Sequence, residues 1–310
     1  NPLALIAGPT ASGKSAVALA LAHLLAKDGR RAVIVNADSA QVYADLQILS
    51  ARPSEDEMEG IEHRLFGAWD GAEACSAAAW ATRAKAEIAE IHESGGVPIL
   101  VGGTGLYLKV LLEGIAPIPE IDPAVRAAVR AIETADAYKL LSIEDPERAA
   151  MLDPTDSQRI ARALEVKRST GVTLADWQLA KAGGIAEEVT LHPLIIEPER
   201  QWVYDRCDAR FAAMLDNGAI AEVEALLARE LDPELPVMRA IGVPEIAAWL
   251  AGEIEADDVI AAGTQATRNY AKRQFTWFRR QPPPDWPRVH PDWESENIDI
   301  EAAFASLLRK

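Results

Sequence analysis

The 310-residue chain has only two cysteines, Cys75 and Cys207, far apart. Two isolated thiols build no disulfide framework, and their separation offers no zinc-ligand spacing, so a reducing compartment, the cytoplasm, fits this usage. No apolar run reaches the ~18 residues that a membrane-spanning helix needs, so no membrane partner is expected. No basic stretch followed by an apolar one opens the chain; Leu3-Ala4-Leu5-Ile6-Ala7 reads instead as a first core strand. Positive charge is scarce, with 31 Lys and Arg against 48 Asp and Glu and a net charge of −17. On average that opposes nucleic acid, whose phosphates demand cationic surface. Net charge averages over every face, however, and a local basic groove survives the arithmetic. Gly and Pro, 19 each, are near ordinary use, which removes collagen-like and low-complexity classes.

The remaining composition, 49% hydrophobic and 25% charged, is that of a globular protein of about two domains, or one large domain with an insert. Four apolar runs, at residues 3–7, 32–37, 98–101 and 192–196, are rich in Val, Ile and Leu without clean alternation, as expected for parallel strands covered on both faces. Residues 14–26 and 77–93 carry helical patterns between them. Strand alternating with helix predicts an α/β fold with a parallel sheet flanked by helices. The stretch Ala116-Pro117-Ile118-Pro119 marks a hinge, and residues 122–181 read as helices only, with stops at Asp145-Pro146 and Asp153-Pro154 and closure at Gly183-Gly184. The expected organisation is therefore a core of residues 1–115 and 190–310 and an all-helical insert of 116–189. Residues 202–278 read as helical throughout, and Gln281-Pro282-Pro283-Pro284 begins an irregular C-terminus.

Gly8-Pro9-Thr10-Ala11-Ser12-Gly13-Lys14-Ser15 fits G-x-x-x-x-G-K-[ST] in full, after a strand and before a helix. Such a P-loop wraps an anion with backbone N–H groups and adds the positive end of a helix. Lys14 reaches a terminal phosphate, and the Ser15 hydroxyl is a ligand for Mg²⁺. The motif specifies a diphosphate or triphosphate, not hydrolysis. A hydrolytic enzyme of this class places an acid at the end of an apolar strand. Here the third strand runs instead into Gly102-Gly103-Thr104-Gly105, and the strand-end acid is Asp38. Ligands bind at such strand ends, so Asp38 and Thr104 should both face the phosphate loop. A carboxylate at position 38 suits a metal or an acceptor proton, and equally a turn or helix cap with Ser39; Thr104 has the same capping alternative.

Beyond the phosphate loop, Asp38-Ser39-Ala40-Gln41-Val42-Tyr43, His63-Arg64-Leu65, Leu100-Val101-Gly102-Gly103-Thr104-Gly105-Leu106-Tyr107, Gln158-Arg159-Ile160-Ala161-Arg162-Ala163-Leu164-Glu165 and Lys272-Arg273-Gln274-Phe275-Thr276-Trp277-Phe278-Arg279 occur in order. Together they resemble the tRNA dimethylallyltransferase family, also called tRNA isopentenyltransferases, from residue 3 to about residue 280. The resemblance implies a P-loop NTPase-like fold. It also implies transfer of a dimethylallyl group from dimethylallyl diphosphate to N6 of the adenosine 3′ of the anticodon, in tRNAs reading codons that start with U. Pyrophosphate leaves, and no ATP is consumed. By the family pattern Asp38 is the general base and Thr104 contacts the base and the bridging region of the donor. Lys14 acts with the loop on the diphosphate. Asp38 to Gln41, Arg126, Gln158, Arg159, Ile160, Ala161, Arg162, Arg239, Gly242 and Lys272 to Arg279 face the tRNA anticodon arm.

The chemistry agrees. An exocyclic amine is a poor nucleophile that gains from losing a proton to Asp38, and diphosphate leaves well only when its charge is neutralised. Arg206 or Arg210 is a candidate for one such contact. The base must also leave its stack to react. The run from Lys272 to Arg280 holds four cations and no acid, with Arg268 one turn earlier, and Arg159, Arg162, Lys167 and Arg168 form a second cluster. Interleaved Phe275, Trp277 and Phe278 offer stacking surface or core. Where the family usually reads R-x-x-G-Y-[RK], this chain has Arg239-Ala240-Ile241-Gly242-Val243-Pro244, so only Arg239 and Gly242 carry over. Gly105, in a slot often held by Ser or Met, is expected to matter little. No Cys/His zinc finger follows, as in the short bacterial form, and a monomer is expected. His63 reads as a structural anchor and the two cysteines as packing. A small-molecule P-loop kinase would account for the loop and Asp38 but for neither basic cluster; a non-catalytic RNA binder would not need Lys14, Ser15 and Asp38 intact.

Overall fold

The structure is a computed structural model that describes residues 1–291 and 298–309. The chain divides into two compact units, Asn1–Leu111 with Ala186–Lys310, and Leu112–Ile185. In chain order the first unit begins β1 (Pro2–Ala7), α1 (Lys14–Lys27), β2 (Ala32–Asn36), β3 (Glu62–Arg64), α2 (Ala77–Glu93), β4 (Val97–Gly102) and α3 (Gly105–Glu113). The second unit holds β5 (Gly114–Ile115), α4 (Pro123–Arg130), α5 (Thr134–Glu144), α6 (Pro146–Met151), α7 (Ser157–Thr170), α8 (Leu174–Leu179) and β6 (Ala182–Gly183). The first unit resumes with β7 (Thr190–Ile196), α9 (Arg200–Asp216), α10 (Ala219–Leu227), α11 (Val243–Leu250), α12 (Ala256–Arg280), β8 (Arg288–Val289), α13 (Ile300–Ala303) and α14 (Ala305–Leu308).

The main sheet has strand order β3-β2-β4-β1-β7-β8, every pair parallel. Its central strands are buried on both faces, which is why they read as continuous apolar runs. Val17, Leu21 and Leu25 of α1 cover Ile34, Ile99 and Val101, and Phe304 and Leu307 join that core. Ser76 caps α2 by accepting from the Ala79 N–H. On α12 the buried positions Val259, Gly263, Thr267, Ala271, Phe275 and Phe278 repeat at helical spacing. Gly263 leaves room for the Phe211 ring, which a Cβ would meet at 2.0 Å. The second unit packs Val129, Leu141, Ile160 and Leu164 into its own core.

Four expectations need correction. The stretch 202–278 is not helical throughout: Gly218, at φ +104°, ends one run, and the segment after α10 is irregular with a 3₁₀ turn at Pro236–Arg239. The stretch after Pro284 is not wholly irregular, since β8 extends the sheet and α13 and α14 dock Phe304 and Leu307; its residues 292–297 lie outside the described residues. The insert is not purely helical, because Gly114 and Ile115 pair antiparallel with Gly183 and Ala182. The short edge strand β3 also went unseen. Two- and three-residue strands carry no periodic signal, which is why β3, β5, β6 and β8 went unseen. Among the described residues no helix is long and apolar enough to cross a membrane.

Candidate active site

Strand β1 delivers the chain to Gly8, where a Cβ would lie 2.3 Å from the Ile196 carbonyl oxygen. A Cβ on Gly103 would lie 2.2 Å from the Gln274 amide and 2.9 Å from the Gly8 carbonyl. Side chains are therefore excluded at both, and the loop, the end of β7 and the turn after β4 meet closely. Gly13, at φ +85°, caps α1 with no side chain and leaves its first amides to an anion. Lys14 Nζ donates to the Pro9 carbonyl at 2.5 Å and lies 3.4 Å from Ser12 Oγ. Burial lowers the Lys14 pKa to about 8, against the pull of the Asp38 carboxylate and with the help of the Arg210 guanidinium. Arg210 Nη2 donates to Thr10 Oγ1 at 2.6 Å, and Arg206 Nε donates to the Ala11 carbonyl at 3.2 Å. Both arginines therefore meet the phosphate loop.

Asp38 is held from behind by Asn36, fully buried at the end of β2. Asn36 Oδ1 accepts from the Asp38 N–H at 2.9 Å, and its Nδ2 donates to the carbonyls of Asp38 and Leu65 at 3.0 and 3.1 Å. Asp38 Oδ1 accepts from the Ala40 N–H at 2.9 Å, so the carboxylate does shape a turn. Thr104 Oγ1 accepts from the Ser39 N–H at 2.9 Å and donates to Ser39 Oγ at 3.2 Å. Tyr270 of α12 lines the same cavity as Asp38 and Ser39; burial and then the Asp38 charge push its phenol above the usual range.

Two cavities share Thr10, Asp38, Ser50 and Arg210 in their walls. One, of about 480 Å³, is lined by the loop from Thr10 to Ser15, with Gln41, His63 and Arg206. The other, of about 330 Å³, is walled by Leu46, Leu49, Phe211, Met214 and Ile241 and carries Tyr270, Arg239 and Arg273. Its wall is fastened by Glu222, whose carboxylate accepts from the N–H groups of Gln47, Ile48 and Leu49 at 2.6, 2.8 and 2.9 Å. Gln41 donates to the carbonyls of Ser50 and Ala51. His63 lines the larger cavity, with Nδ1 2.8 Å from the Ile61 carbonyl and its ring edge-on to Phe66.

The expected RNA-facing residues divide by burial. Lys272, Arg273, Thr276 and Arg279 are exposed on α12, whereas Gln274, Phe275 and Phe278 are buried. Side chains sealed in the core cannot touch RNA, so these three leave the expected RNA face. Gln274 instead ties two backbones together: Oε1 accepts from the Thr10 N–H at 2.7 Å and Nε2 donates to the Gly103 carbonyl at 2.9 Å. Trp277 packs its indole where a Gly105 Cβ would intrude at 2.2 Å, so the glycine at 105 is not neutral as expected. Ile160 is buried in the core of the second unit and likewise leaves the set, while Gln158 and Arg159 are exposed and Ala161 and Arg162 half-buried. Arg126 is exposed on α4. Gly242 is buried, caps α11 and faces Leu49 and Phe211, a packing role rather than a surface one. Arg239 stays on the surface, paired with Glu234.

Sequence reasoning missed Asn36, Tyr270 and Glu222. Asn36 had a signal, a polar residue in an apolar strand two positions before Asp38. Tyr270 and Glu222 had none, because only folding brings α12 and α10 to these loops.

A family model described as IPP transferase matches residues 41–281. A tRNA dimethylallyltransferase of Erythrobacter litoralis is 65% identical over 99% of this chain and 96% of its own. Among solved structures, the full-length tRNA isopentenylpyrophosphate transferase of Bacillus halodurans superposes with a TM-score of 0.70 at 29% identity, over 99% of this chain and 96% of that one. A eukaryotic dimethylallyltransferase acting on tRNA reaches a TM-score of 0.81 at 26% identity, over 98% of this chain and 78% of that one.

Proposed function

Because the chain belongs to the tRNA dimethylallyltransferase family, we propose that it moves a dimethylallyl group from dimethylallyl diphosphate to N6 of the adenosine 3′ of the anticodon, in tRNAs that read U-starting codons. The observation that carries this is the meeting of two cavities at Asp38, Thr10 and Arg210, one walled by a phosphate loop and the other largely apolar. An anion and a carbon electrophile with its acceptor base thus have separate approaches to one carboxylate.

The diphosphate lies against the amides of α1, with Lys14, Arg206 and Arg210 opposing its charge. N6 forms a bond to C1 of the donor as the C1–O bond breaks, and the electron pair leaves with the diphosphate oxygen. The N6 proton passes to Asp38, which the Asn36 bonds hold in place. Thr104 contacts the bridging oxygen and the base.

A divalent cation fits this loop only in one way. Among the described residues no group of three His, Cys, Asp or Glu could hold a metal. The exposed Ser15 hydroxyl in the larger cavity could, with donor phosphates and water completing the shell, which is how Mg²⁺ is commonly held. Mg²⁺ there would neutralise the leaving diphosphate. The exposed cations of α12, with Gln158, Arg159 and Arg162 of the second unit and Arg126 and Arg239, supply the contacts to the anticodon arm.

The test is a transfer assay with Mg²⁺, labelled dimethylallyl diphosphate and unmodified tRNA carrying adenosine after its anticodon, beside a tRNA with another base there. Label in the first tRNA alone is expected. No label, together with tight ATP binding, would return the chain to a kinase chemistry.

A further inference from the structure

Glu165 lies on α7 in the second unit, 2% exposed, between Leu164 and Val166, which are fully buried. A carboxylate in that setting costs free energy unless cations meet it, and an apolar side chain of similar volume would fill the space without that cost. Packing alone therefore gives no reason for an acid here. Its two oxygens face two arginines. Oε1 accepts from Arg130 Nε on α4 at 3.0 Å, and Oε2 lies 3.9 Å from Arg162 Nη1 on the same helix as Glu165. Both arginines reach the surface, with side chains 65% and 43% exposed. The bond through Nε leaves the Nη edge of the Arg130 fork for another anion. Exposed Arg126 lies one turn before Arg130 on α4, so the two share a face of that helix. Arg159 lies one turn before Arg162, and its contact to Asp156, at 3.5 Å, is a surface pair of little strength.

We propose that Arg130 is a further contact to the phosphates of tRNA, and that Glu165 is the positioning residue that aims it, together with Arg162, before the RNA arrives. This rests on the reading of the chain as a tRNA-modifying enzyme. A free arginine has many rotamers and loses their entropy when a phosphate fixes it. Anchored at Nε, Arg130 has already lost much of that freedom, and its planar fork can then meet two oxygens of one phosphate. One carboxylate stands against two guanidinium groups, so the trio keeps a net positive charge. The gain is in geometry rather than in field strength, which suits a unit in which acids offset part of the positive charge.

The test is binding of unmodified tRNA by the full chain across a salt series, with thermal melting and pyrophosphate binding as checks of the fold. Arg130→Ala is expected to weaken tRNA binding about 3- to 10-fold at low salt. It should also reduce the slope of log K against log salt by about 0.5, because Arg130 and Arg162 share one neutralising carboxylate. Arg130→Lys is expected to recover the slope but not the full affinity, since an ammonium carries the charge without the fork. Glu165→Gln separates geometry from charge. Loss of an acid from a chain at −17 favours RNA by charge alone. Loss of the anchor is expected instead to weaken tRNA binding about 3-fold, with pyrophosphate binding unchanged. Tighter tRNA binding by Glu165→Gln would overturn the positioning role, and wild-type affinity and slope in Arg130→Ala would overturn the contact. Either result, in a protein whose wild-type form transfers label to tRNA, refutes this proposal and leaves the prenyl-transfer reading intact. The expected binding pattern in a protein that transfers no label would do the reverse.

Discussion

Gln274→Leu removes a side chain that ties the phosphate loop to the turn after β4. Its amide spans Thr10 N–H at 2.7 Å and the Gly103 carbonyl at 2.9 Å, and the residue is 4% exposed. Leucine is close in volume, so the core stays filled while two buried backbone groups lose their partners. Each unpaired group costs about 1–3 kcal/mol, so the variant should lose about 2–6 kcal/mol. At about 2 °C per kcal/mol for a unit of this size, the melting temperature should fall about 4–12 °C. Pyrophosphate affinity should fall as well, because Thr10 heads the anion-binding loop. Calorimetric melting with and without pyrophosphate measures both. Binding of tRNA at two salt concentrations supplies the control, and its salt slope should not move, because a buried amide meets no phosphate. An unchanged melting temperature with a flattened salt slope would refute the reasoning and return Gln274 to the RNA face.

Asp38→Asn should lower turnover at least about 100-fold while pyrophosphate binding survives; equal loss of both, read by single-turnover kinetics and calorimetry, would make Asp38 a structural residue. The Lys14 ammonium is the form that attracts diphosphate, and burial lowers its pKa to about 8. Pyrophosphate affinity should therefore fall as pH rises through 8, and binding above that pH should take up a proton, visible as a buffer-dependent binding enthalpy; a pH-flat affinity from 7 to 9.5 would show that Lys14 contributes no charge. Replacing Lys272 with alanine should reduce the slope of log K against log salt for tRNA by about 1, and Arg162→Ala by less, since Arg162 already lies 3.9 Å from the buried Glu165 carboxylate. Equal slopes in all three proteins would remove both residues from the RNA face.

The central sheet was legible because burial on both faces writes itself into the sequence as apolar runs, and β1, β2, β4 and β7 stand where those runs predicted. Helix α2 matches its expected span because Ser76 caps one end and Gly95, at φ +72°, follows the other. The edge strands β3 and β8 were not legible. Three and two residues long, they owe their conformation to the neighbour they pair with rather than to their own pattern. The docking of Phe304 and Leu307 is equally a tertiary fact, since four-residue helices have no stability of their own.

For the site, local chemistry was readable and long-range chemistry was not. The loop from Gly8 to Ser15 and the Asp38 strand end are contiguous motifs, and their geometry follows from a strand that ends beside a helix. Gln274 shows the limit. It lies in a basic aromatic run whose composition suggests RNA, but α12 turns it by helical phase onto its buried stripe, between Ala271 and Phe278. The same phase puts Lys272, Arg273, Thr276 and Arg279 outside. One nine-residue run therefore serves two purposes, clamping the phosphate loop with one face and offering cations with the other. This also resolves the charge problem of a chain at −17. In the second unit, acids pair with many of the cations, as with Arg168 and Glu144 or Arg130 and Glu165. From Lys272 to Arg280 the helix carries no acid, so the positive field that RNA would need is concentrated where the net charge hides it, one helical face away from the Gln274 clamp.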